Sequence, residues 1–317
     1  MTELSPRQRL YDLMNGALVT RALGLAADLG VARALAGGPR SVEELAAASG
    51  ANADALHRIL RALASNGIFE EVEPSVFANT DVSALLLEPG ASEFAHLFGG
   101  VFHRAAGELD ASGEATFPRE HGEGFWEWLA THPDDRAAFD TAMVDGVGSR
   151  VERIASVEWR GDETVVDVGG GNGSLLLALL PRLPDGVRGI VLDLPETVRD
   201  DSSFGDRIEF VGGSFFESVP RGDVYVLGTI LHNWSDEDAA RILTTIRAAA
   251  PMDARLLVID GVLPSGNERH PMKWLDLLML ALFTGRERDE TQWRALFAET
   301  GFEPVSIRDG LIEAVCR

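Results

Sequence analysis

The chain has 317 residues, 45% of them hydrophobic, and its 28 basic against 50 acidic residues give a formal net charge of −22. This length predicts two domains, and the negative charge argues against binding to nucleic acid or an anionic membrane, since both need a positively charged protein surface. A single cysteine, a polar start without a signal-peptide pattern, and no apolar run of the ~18 residues that span a bilayer together predict a cytoplasmic protein.

Residues 1–100 are predicted to be mostly helical. Apolar residues recur at helical spacing near the start, at Leu10, Leu13, Met14, Ala17 and Leu18. The pattern continues over residues 22–35, which are apolar on most faces of a helix. We therefore expect this stretch to pack against a second chain as well as its own. Ser41 and Glu44 form a capping box that opens the next helix.

A helix over residues 55–65 and a small hairpin over 67–77 complete the order helix, turn, helix, hairpin, which is typical of a winged helix. This order suggests DNA binding, because the second helix carries His57, Arg58 and Arg61. The hairpin, however, carries Glu70 and Glu71, which would repel phosphates. We interpret the region as an interaction surface, and a winged-helix regulator that senses a ligand remains an alternative.

Residues 101–158 are predicted to connect the two domains. Trp126, Trp128 and Met143 stand out in this connector. They are either ordinary core residues or the walls of a pocket for a flat, apolar substrate.

From residue 159 onward, strands and helices alternate, which predicts an α/β, doubly wound domain. Helices are expected over residues 236–250, after the cap Ser235, and over 290–300. The predicted strands cover residues 164–168, 188–193, 207–212, 222–228, 254–260, 302–308 and 311–316.

A glycine-rich turn follows the first of these strands and leads into an apolar helix. Its glycines are spaced G-x-G-x-G, and Ser174 stands where a dinucleotide fingerprint needs Gly or Ala. Asp193 ends the next strand about 20 residues later, where an acidic residue binds ribose, so NAD and S-adenosylmethionine both stay open. The carboxylate of Asp167 suits a ligand with an ammonium group better than a pyrophosphate. The alternative is a tight turn without a ligand.

His232 lies just past the end of the strand over 222–228, at the edge where open α/β sheets place their chemistry. A neutral imidazole there can accept a proton at physiological pH. The alternative is a structural histidine packed beside Trp234.

Five groups of residues, in order along the chain, resemble the motif series of S-adenosylmethionine-dependent O-methyltransferases. The likeness is greatest to plant caffeate-type and bacterial natural-product enzymes, and it covers nearly the whole chain. The five groups are Val166-Asp-Val-Gly-Gly-Gly-Asn-Gly173, Val191-Leu-Asp-Leu-Pro195, Gly212-Gly-Ser-Phe-Phe-Glu217, Leu231-His-Asn-Trp-Ser-Asp236, and Gly285-Arg-Glu-Arg288 with Trp293-Arg-Ala-Leu-Phe297 and Gly301-Phe302.

The resemblance implies a Rossmann-like methyltransferase domain over residues 159–317 with its last strand antiparallel. It implies a winged-helix dimerisation domain over 1–100 and a helical connector over 101–158 that contributes to the substrate pocket. It further implies a homodimer and a metal-free methyl transfer to a hydroxyl of a small, usually aromatic, molecule.

The resemblance also assigns roles to individual residues. His232 would be the general base, with Glu287 and Asp260 orienting its imidazole. The cofactor would be held by Asp167, Gly169, Gly171, Gly173, Asp193, Leu194, Ser214, Phe215 and Gly228. The substrate would contact Trp126, Met143, Asp276 and Met279.

Three residues depart from the family pattern. Ser214 replaces an Asp that usually contacts adenine, Gly228 replaces a Lys or Ser near the cofactor carboxylate, and Asn233 replaces the usual Asp after the histidine. These changes keep a second interpretation open, in which a relative binds the cofactor but catalyses another reaction such as hydroxylation or C-methylation. The presence of His232 and Glu287 favours methyl transfer.

Overall fold

The computed structural model describes residues 5–144, 146–195, 197–198, 206–308 and 310–317. The chain divides into two units, one formed by residues 1–109 with 120–145 and the other by residues 110–119 with 146–317. The domain boundaries expected near residues 100 and 158 remain predictions. Among the described residues, no helix combines the length and the apolar character needed to cross a membrane.

The first part of the chain is mostly helical. Its strands pair antiparallel in the order β1–β3–β2. The elements are α1 Pro6–Met14, α2 Gly16–Asp28, α3 Val31–Ala34, β1 Arg40–Ser41, α4 Val42–Ser49, α5 Ala53–Ala64, β2 Phe69–Glu73, β3 Val76–Asn79, α6 Asp81–Ala84, a 3-10 turn at Leu85–Leu87, α7 Ala91–Gly99, α8 Val101–Gly107, α9 Phe117–His121, α10 Phe125–Thr131 and α11 Pro133–Ala142.

Most of the elements predicted near the start of the chain are present in the structure. Ser41 caps α4 through the predicted capping box with Glu44, and α4, α5, β2 and β3 follow in the expected order. The sequence predicted a continuous helical pattern over residues 22–35, and this prediction was wrong. Gly30, at a φ of 64°, separates α2 from α3, because a left-handed residue ends an α-helix and glycine adopts it without strain.

Helix α1 has no buried residues among those the structure describes. Its apolar side chains, with one from α2, are exposed: Leu10, Leu13, Met14 and Leu18. A helix that exposes its apolar face is a candidate interface rather than part of the core.

The second unit contains α12 and a mixed sheet whose strands β4 to β10 are the strands predicted from the sequence, within two residues at each end. Its elements are α12 Val147–Ala155, β4 Thr164–Val168, α13 Ser174–Leu179, a 3-10 turn at Leu180–Arg182, β5 Arg188–Asp193, β6 Ile208–Gly212, β7 Val224–Gly228, a 3-10 turn at Leu231–Asn233, α14 Asp236–Ala249, β8 Arg255–Ile259, α15 Pro271–Leu282, α16 Glu290–Glu299, β9 Phe302–Arg308 and β10 Leu311–Cys316.

Within the described residues this sheet has seven strands in the order β6–β5–β4–β7–β8–β10–β9. Strands β4 to β8 are parallel, whereas β10 is antiparallel to both of its neighbours. This confirms the expected doubly wound sheet with an antiparallel last strand.

Two hydrophobic clusters cover the two faces of the sheet. Val166 and Tyr225 belong to the cluster that includes α14 and α16. Their neighbours Val165 and Val224 belong to the cluster that includes α12 and α13. Successive side chains of a strand point to opposite faces, so the continuous apolar runs of the sequence are those of strands buried on both sides.

The strand order reverses direction at β4, which lies between β5 and β7. The loops that leave the carboxyl ends of two such strands turn to opposite faces, and the crevice between them is where open α/β sheets bind ligands. The glycine turn after β4, Asp193 at the end of β5 and the His232 turn after β7 all lie at this edge.

Candidate active site

The turn between β4 and α13 is shaped by glycines. Gly169, Gly171 and Gly173 have φ values of 74°, 58° and 80°, a region that L side chains rarely adopt. A side chain at two of these positions would also require its neighbours to shift. A Cβ at Gly169 would lie 2.6 Å from Ile230 Cδ1, and one at Gly173 would lie 2.9 Å from the ring of Phe210. The turn therefore presents bare backbone at the crevice.

Asp193 is fixed at the end of β5 by two backbone N–H groups. Gly171 N donates to Asp193 Oδ2 and Leu194 N donates to Oδ1, each at 2.8 Å. A carboxylate oxygen can accept more than one hydrogen bond. The carboxylate is thus oriented, with capacity to accept hydroxyl groups of a ribose.

Asp167 is buried beneath the glycine turn. Burial and, to a lesser extent, the charge of Asp193 raise the pKa of its carboxyl to about 7, against the opposing charge of Arg150. Its Oδ2 is buried and has no hydrogen-bond partner among the described residues. A buried carboxylate oxygen without a partner favours a cationic ligand. The ammonium and sulfonium groups of S-adenosylmethionine fit this requirement, and a pyrophosphate does not.

Aromatic rings line the loop after β6. Phe215 lies 5.0 Å from Phe216 and 5.9 Å from Trp234, measured between ring centroids. The hydroxyl of Ser214 accepts a hydrogen bond from Phe216 N at 3.3 Å, so it caps the local turn. At Gly228 a Cβ would make only an ordinary contact of 3.7 Å with Leu175, so packing does not require glycine there.

His232 sits in the 3-10 turn after β7 and is buried. Its Nδ1 lies 2.7 Å from Glu287 Oε1. Burial by itself lowers the pKa of the imidazole, but Asp260 and Glu287 outweigh it and hold the pKa above its ordinary value. A carboxylate at Nδ1 favours the tautomer with the proton on Nδ1, which leaves Nε2 as the basic nitrogen.

Asp260 supports the same turn from β8. Its Oδ2 accepts a hydrogen bond from Leu231 N at 3.1 Å. Burial raises the pKa of this carboxyl to about 7, and the neighbouring His232 opposes the rise. The structure thus brings His232, Glu287 and Asp260 together. Their catalytic roles remain predictions.

Two of the predicted substrate residues lie on α15. Asp276 Oδ1 accepts a hydrogen bond from Glu287 N at 2.9 Å, so this carboxylate fixes the residue that orients the histidine. Met279 is buried. Trp126 and Met143 belong to the first unit, where Trp126 packs edge-on against Phe139. Contact of these four residues with a substrate stays a prediction.

Two arginines at this edge received no role from the sequence, although Arg288 lies within the fifth motif group. Arg288 is fully buried, and Arg150 Nη1 lies 3.4 Å from the hydroxyl of Thr229. Thr229 has a φ of 58°, which is rare for a β-branched residue and marks a site where strain is maintained. The local pattern does not show what these arginines contact, because their partners are distant in sequence.

Comparison with known proteins covers both units. Residues 102–303 match the family model of the O-methyltransferase domain, and residues 11–89 match that of the O-methyltransferase dimerisation domain. Phenazine O-methyltransferase PhzM of Lysobacter antibioticus is 37% identical over 308 residues, which are 92% of this chain and 90% of that protein. Mitomycin biosynthesis 6-O-methyltransferase of Streptomyces lavendulae is 37% identical over 310 residues, 93% of this chain and 88% of that one.

A solved structure extends the likeness to the fold. It is an O-methyltransferase from neocarzinostatin biosynthesis in complex with S-adenosylmethionine and 2-hydroxy-5-methyl naphthoic acid. The two proteins are 30% identical and superpose with a TM-score of 0.85, over 100% of each chain.

Proposed function

The chain belongs to the family of S-adenosylmethionine-dependent O-methyltransferases, and from this premise we propose that it methylates a hydroxyl of a small aromatic natural product without a metal ion, with His232 as general base. The observation that carries the proposal is the 2.7 Å contact between His232 Nδ1 and Glu287 Oε1. It supports the assignment of the base because it leaves Nε2 as the atom that receives a proton.

S-adenosylmethionine supplies an electrophilic methyl group on a sulfonium. A phenol of pKa about 10 is poorly ionised at neutral pH, so its oxygen needs help to become a nucleophile. His232 accepts the hydroxyl proton at Nε2, which leaves the substrate oxygen nucleophilic. Glu287 stabilises the imidazolium that forms, and Asp260 holds the backbone of the turn through Leu231 N. General-base catalysis of this kind typically contributes about 10²–10⁴-fold.

Binding of the cofactor is proposed for the residues at the edge of the sheet. The glycine turn leaves room for the methionine part beside Asp167, and the oriented carboxylate of Asp193 accepts ribose hydroxyls. Arg150 joins this set, since its guanidinium offers the cation that Gly228 lacks for a carboxylate. The adenine positions are Leu194, Ser214 and Phe215. Trp126, Met143, Asp276 and Met279 are proposed to contact the substrate.

The names of the relatives support a proposal for the class of substrate. The names of these relatives refer to phenazine, mitomycin and a naphthoic acid, which are ring-containing molecules. We propose a flat, phenolic substrate of that type. We also propose a homodimer formed through the dimerisation domain, in a cytoplasmic enzyme. Ser214 and Gly228 depart from the family pattern, so a second candidate function is considered, in which the chain binds the cofactor but catalyses a different reaction. The same experiment tests this candidate.

The test is incubation with S-adenosylmethionine carrying a labelled methyl group and a panel of phenols, with products identified by mass spectrometry. O-methylated product that depends on His232 supports the proposal. Transfer of label to carbon, or cofactor binding without any transfer, would favour the second candidate. A requirement for added divalent metal would contradict the metal-free reaction.

A further inference from the structure

The segment Gly285–Arg288 contacts the His232 turn both at the imidazole ring and along the backbone of the turn. A Cβ on Gly285 would collide with backbone atoms of His232, Asn233 and Trp234, so the segment lies directly against the backbone of the turn. Glu287 contacts the imidazole. The next residue, Arg288, contacts the backbone on either side of His232.

All three nitrogens of the Arg288 guanidinium donate hydrogen bonds within the protein. Nη1 donates to Leu231 O at 2.8 Å and Nη2 donates to Trp234 O at 2.9 Å. Nε donates to Asp236 Oδ1 at 2.8 Å, at the start of α14. The guanidinium carbon also lies 5.3 Å from the centre of the Trp293 ring. The planar fork of arginine presents donors to the two carbonyls from separate nitrogens in a fixed geometry, whereas lysine presents its donors from a single flexible ammonium.

Burying a charge is costly unless the charge is fully paired, and Arg288 is fully buried whereas its carboxylate partner Asp236 is largely exposed. An arginine needed only to pair with Asp236 could remain at the surface. The bonds that require burial are those to the two carbonyls that flank His232.

We propose that Arg288 is a positioning residue for His232, holding the turn Leu231–Trp234 so that the imidazole meets Glu287 at one nitrogen and the substrate hydroxyl at the other. The proposal rests on the proposed function. The positive charge of Arg288 also acts on His232: it lowers the pKa of the imidazole, whereas the carboxylates of Asp260 and Glu287 raise it.

Two substitutions separate these effects. Arg288→Lys keeps the charge but loses one or both carbonyl bonds, so kcat is expected to fall by about ten- to a hundredfold, since misplacement of a reacting group by about 1 Å costs about 10²-fold. KM and the Kd for S-adenosylmethionine should stay within about twofold, and the pH profile should not move. Arg288→Met should lose at least as much kcat and also move the acid limb of kcat to higher pH, because the pKa of His232 rises.

Nuclear magnetic resonance gives a readout that does not depend on turnover. Isotope-labelled histidine, assigned with His232→Gln, reports the pKa of His232 and the Nδ1 proton shared with Glu287. We expect that proton signal to weaken in Arg288→Lys. If wild-type protein methylates no phenol in the panel, the proposed function fails, but this signal still decides whether Arg288 orders the ring.

Arg255→Lys is the matched control. Arg255 also donates to a backbone carbonyl, Glu158 O, and to the buried Glu163, but at the opposite, amino-terminal end of β8. Its loss should lower Tm without changing kcat or the His232 signal. As a second variant, Asp236→Asn removes the ion pair and keeps both carbonyl bonds, so kcat should stay within about threefold.

Three results would overturn the proposal. The first is wild-type kcat with an unchanged His232 signal in Arg288→Lys. The second is a joint fall of kcat, cofactor affinity and Tm, which would make Arg288 only a folding residue. The third is an Asp236→Asn enzyme as impaired as Arg288→Lys, which would place the effect in the ion pair.

Discussion

Glu287 Oε1 lies 2.7 Å from Nδ1 of His232, and Glu287 N is itself held by the carboxylate of Asp276 at 2.9 Å. The orientation of the imidazole is therefore determined by a chain of hydrogen bonds that begins on α15. Because one ring nitrogen is engaged, the chemistry open to His232 is confined to the other. This arrangement is the one that the proposed general base requires, and the variants below test it against a purely structural histidine.

His232→Ala should lower kcat by about two to four decades, the usual contribution of a general base. Cofactor affinity should change little, since the cofactor residues belong to other loops. Residual activity should rise with pH as the phenol ionises without help. Steady-state kinetics from pH 6 to 10 and calorimetry with S-adenosylmethionine provide the measurements.

His57→Ala serves as the control for loss of an imidazole, because His57 lies on α5 in the other unit. It should leave kcat unchanged. A His232→Ala enzyme with wild-type turnover and a lowered Tm would show a structural histidine and would end the general-base proposal.

Glu287→Gln should shift the pH dependence of the reaction. Burial lowers the pKa of His232, while the carboxylates of Asp260 and Glu287 raise it. Removing one carboxylate therefore lowers this pKa, and the acid limb of kcat should move to lower pH. The plateau of kcat should fall by less than in His232→Ala, and the double variant should be no worse than His232→Ala alone, since the two residues act as a unit. Additive losses would argue for independent roles.

Gly285→Ala should displace the His232 turn, because a Cβ at this position meets the backbone of His232, Asn233 and Trp234. The expected result is a loss of kcat of about tenfold or more with nearly unchanged cofactor affinity. Gly148→Ala, where a Cβ meets nothing within 4 Å, is the control and should retain full kcat. Equal kinetics in the two variants would show that the turn adapts.

The sequence predicted the strands of the second unit well because those strands are buried on both faces, as Val165 and Val166 illustrate, and such burial leaves a continuous apolar run. It also placed His232 at the edge of the sheet from strand order alone. The break at Gly30 was missed because apolar periodicity continued across it. Arg288 was noted only as part of a motif and received no role, because a charged residue in a loop is ordinarily exposed. Its partners lie about 50 residues away, so only the tertiary fold shows its burial.

Asp167→Asn tests the buried carboxyl beneath the glycine turn. Its pKa is about 7 in the folded protein because burial and Asp193 raise it from 3.8. A carboxyl with a raised folded pKa costs stability as pH rises above its unfolded pKa, and the full cost is reached above about pH 7. The variant should therefore have a higher Tm than wild type at pH 8, and the difference should shrink toward pH 4.

The same residue should couple cofactor binding to proton release. A cationic cofactor favours the ionised carboxylate, so binding near pH 7 should expel about half a proton more from wild type than from Asp167→Asn. Calorimetry in two buffers of different ionisation enthalpy measures this. Asp185→Asn, a change at an exposed carboxylate, should behave as wild type. Equal proton release in all three proteins would contradict the assignment of Asp167 to the cofactor site.

The exposed apolar side chains of α1 and α2 predict that the chain assembles into a dimer. Helix α1 has no buried residues among those described, and Leu13 and Leu18 are 68% and 70% exposed. The dimerisation-domain match covers residues 11–89, so we expect these side chains to be buried in a homodimer. Light scattering at micromolar concentration should give twice the chain mass of 34.2 kDa, and Leu13→Glu with Leu18→Glu should shift the particle toward one chain mass.

Val72→Glu is the matched control for this pair, because Val72 is a moderately exposed apolar residue of β2 in the same unit. It should leave the mass at two chains. Burying a glutamate in an apolar interface carries a desolvation cost that an exposed hairpin does not impose, so the contrast separates an interface from a general loss of solubility. A wild-type particle of one chain mass, or equal dissociation by Val72→Glu, would contradict dimerisation through α1 and α2.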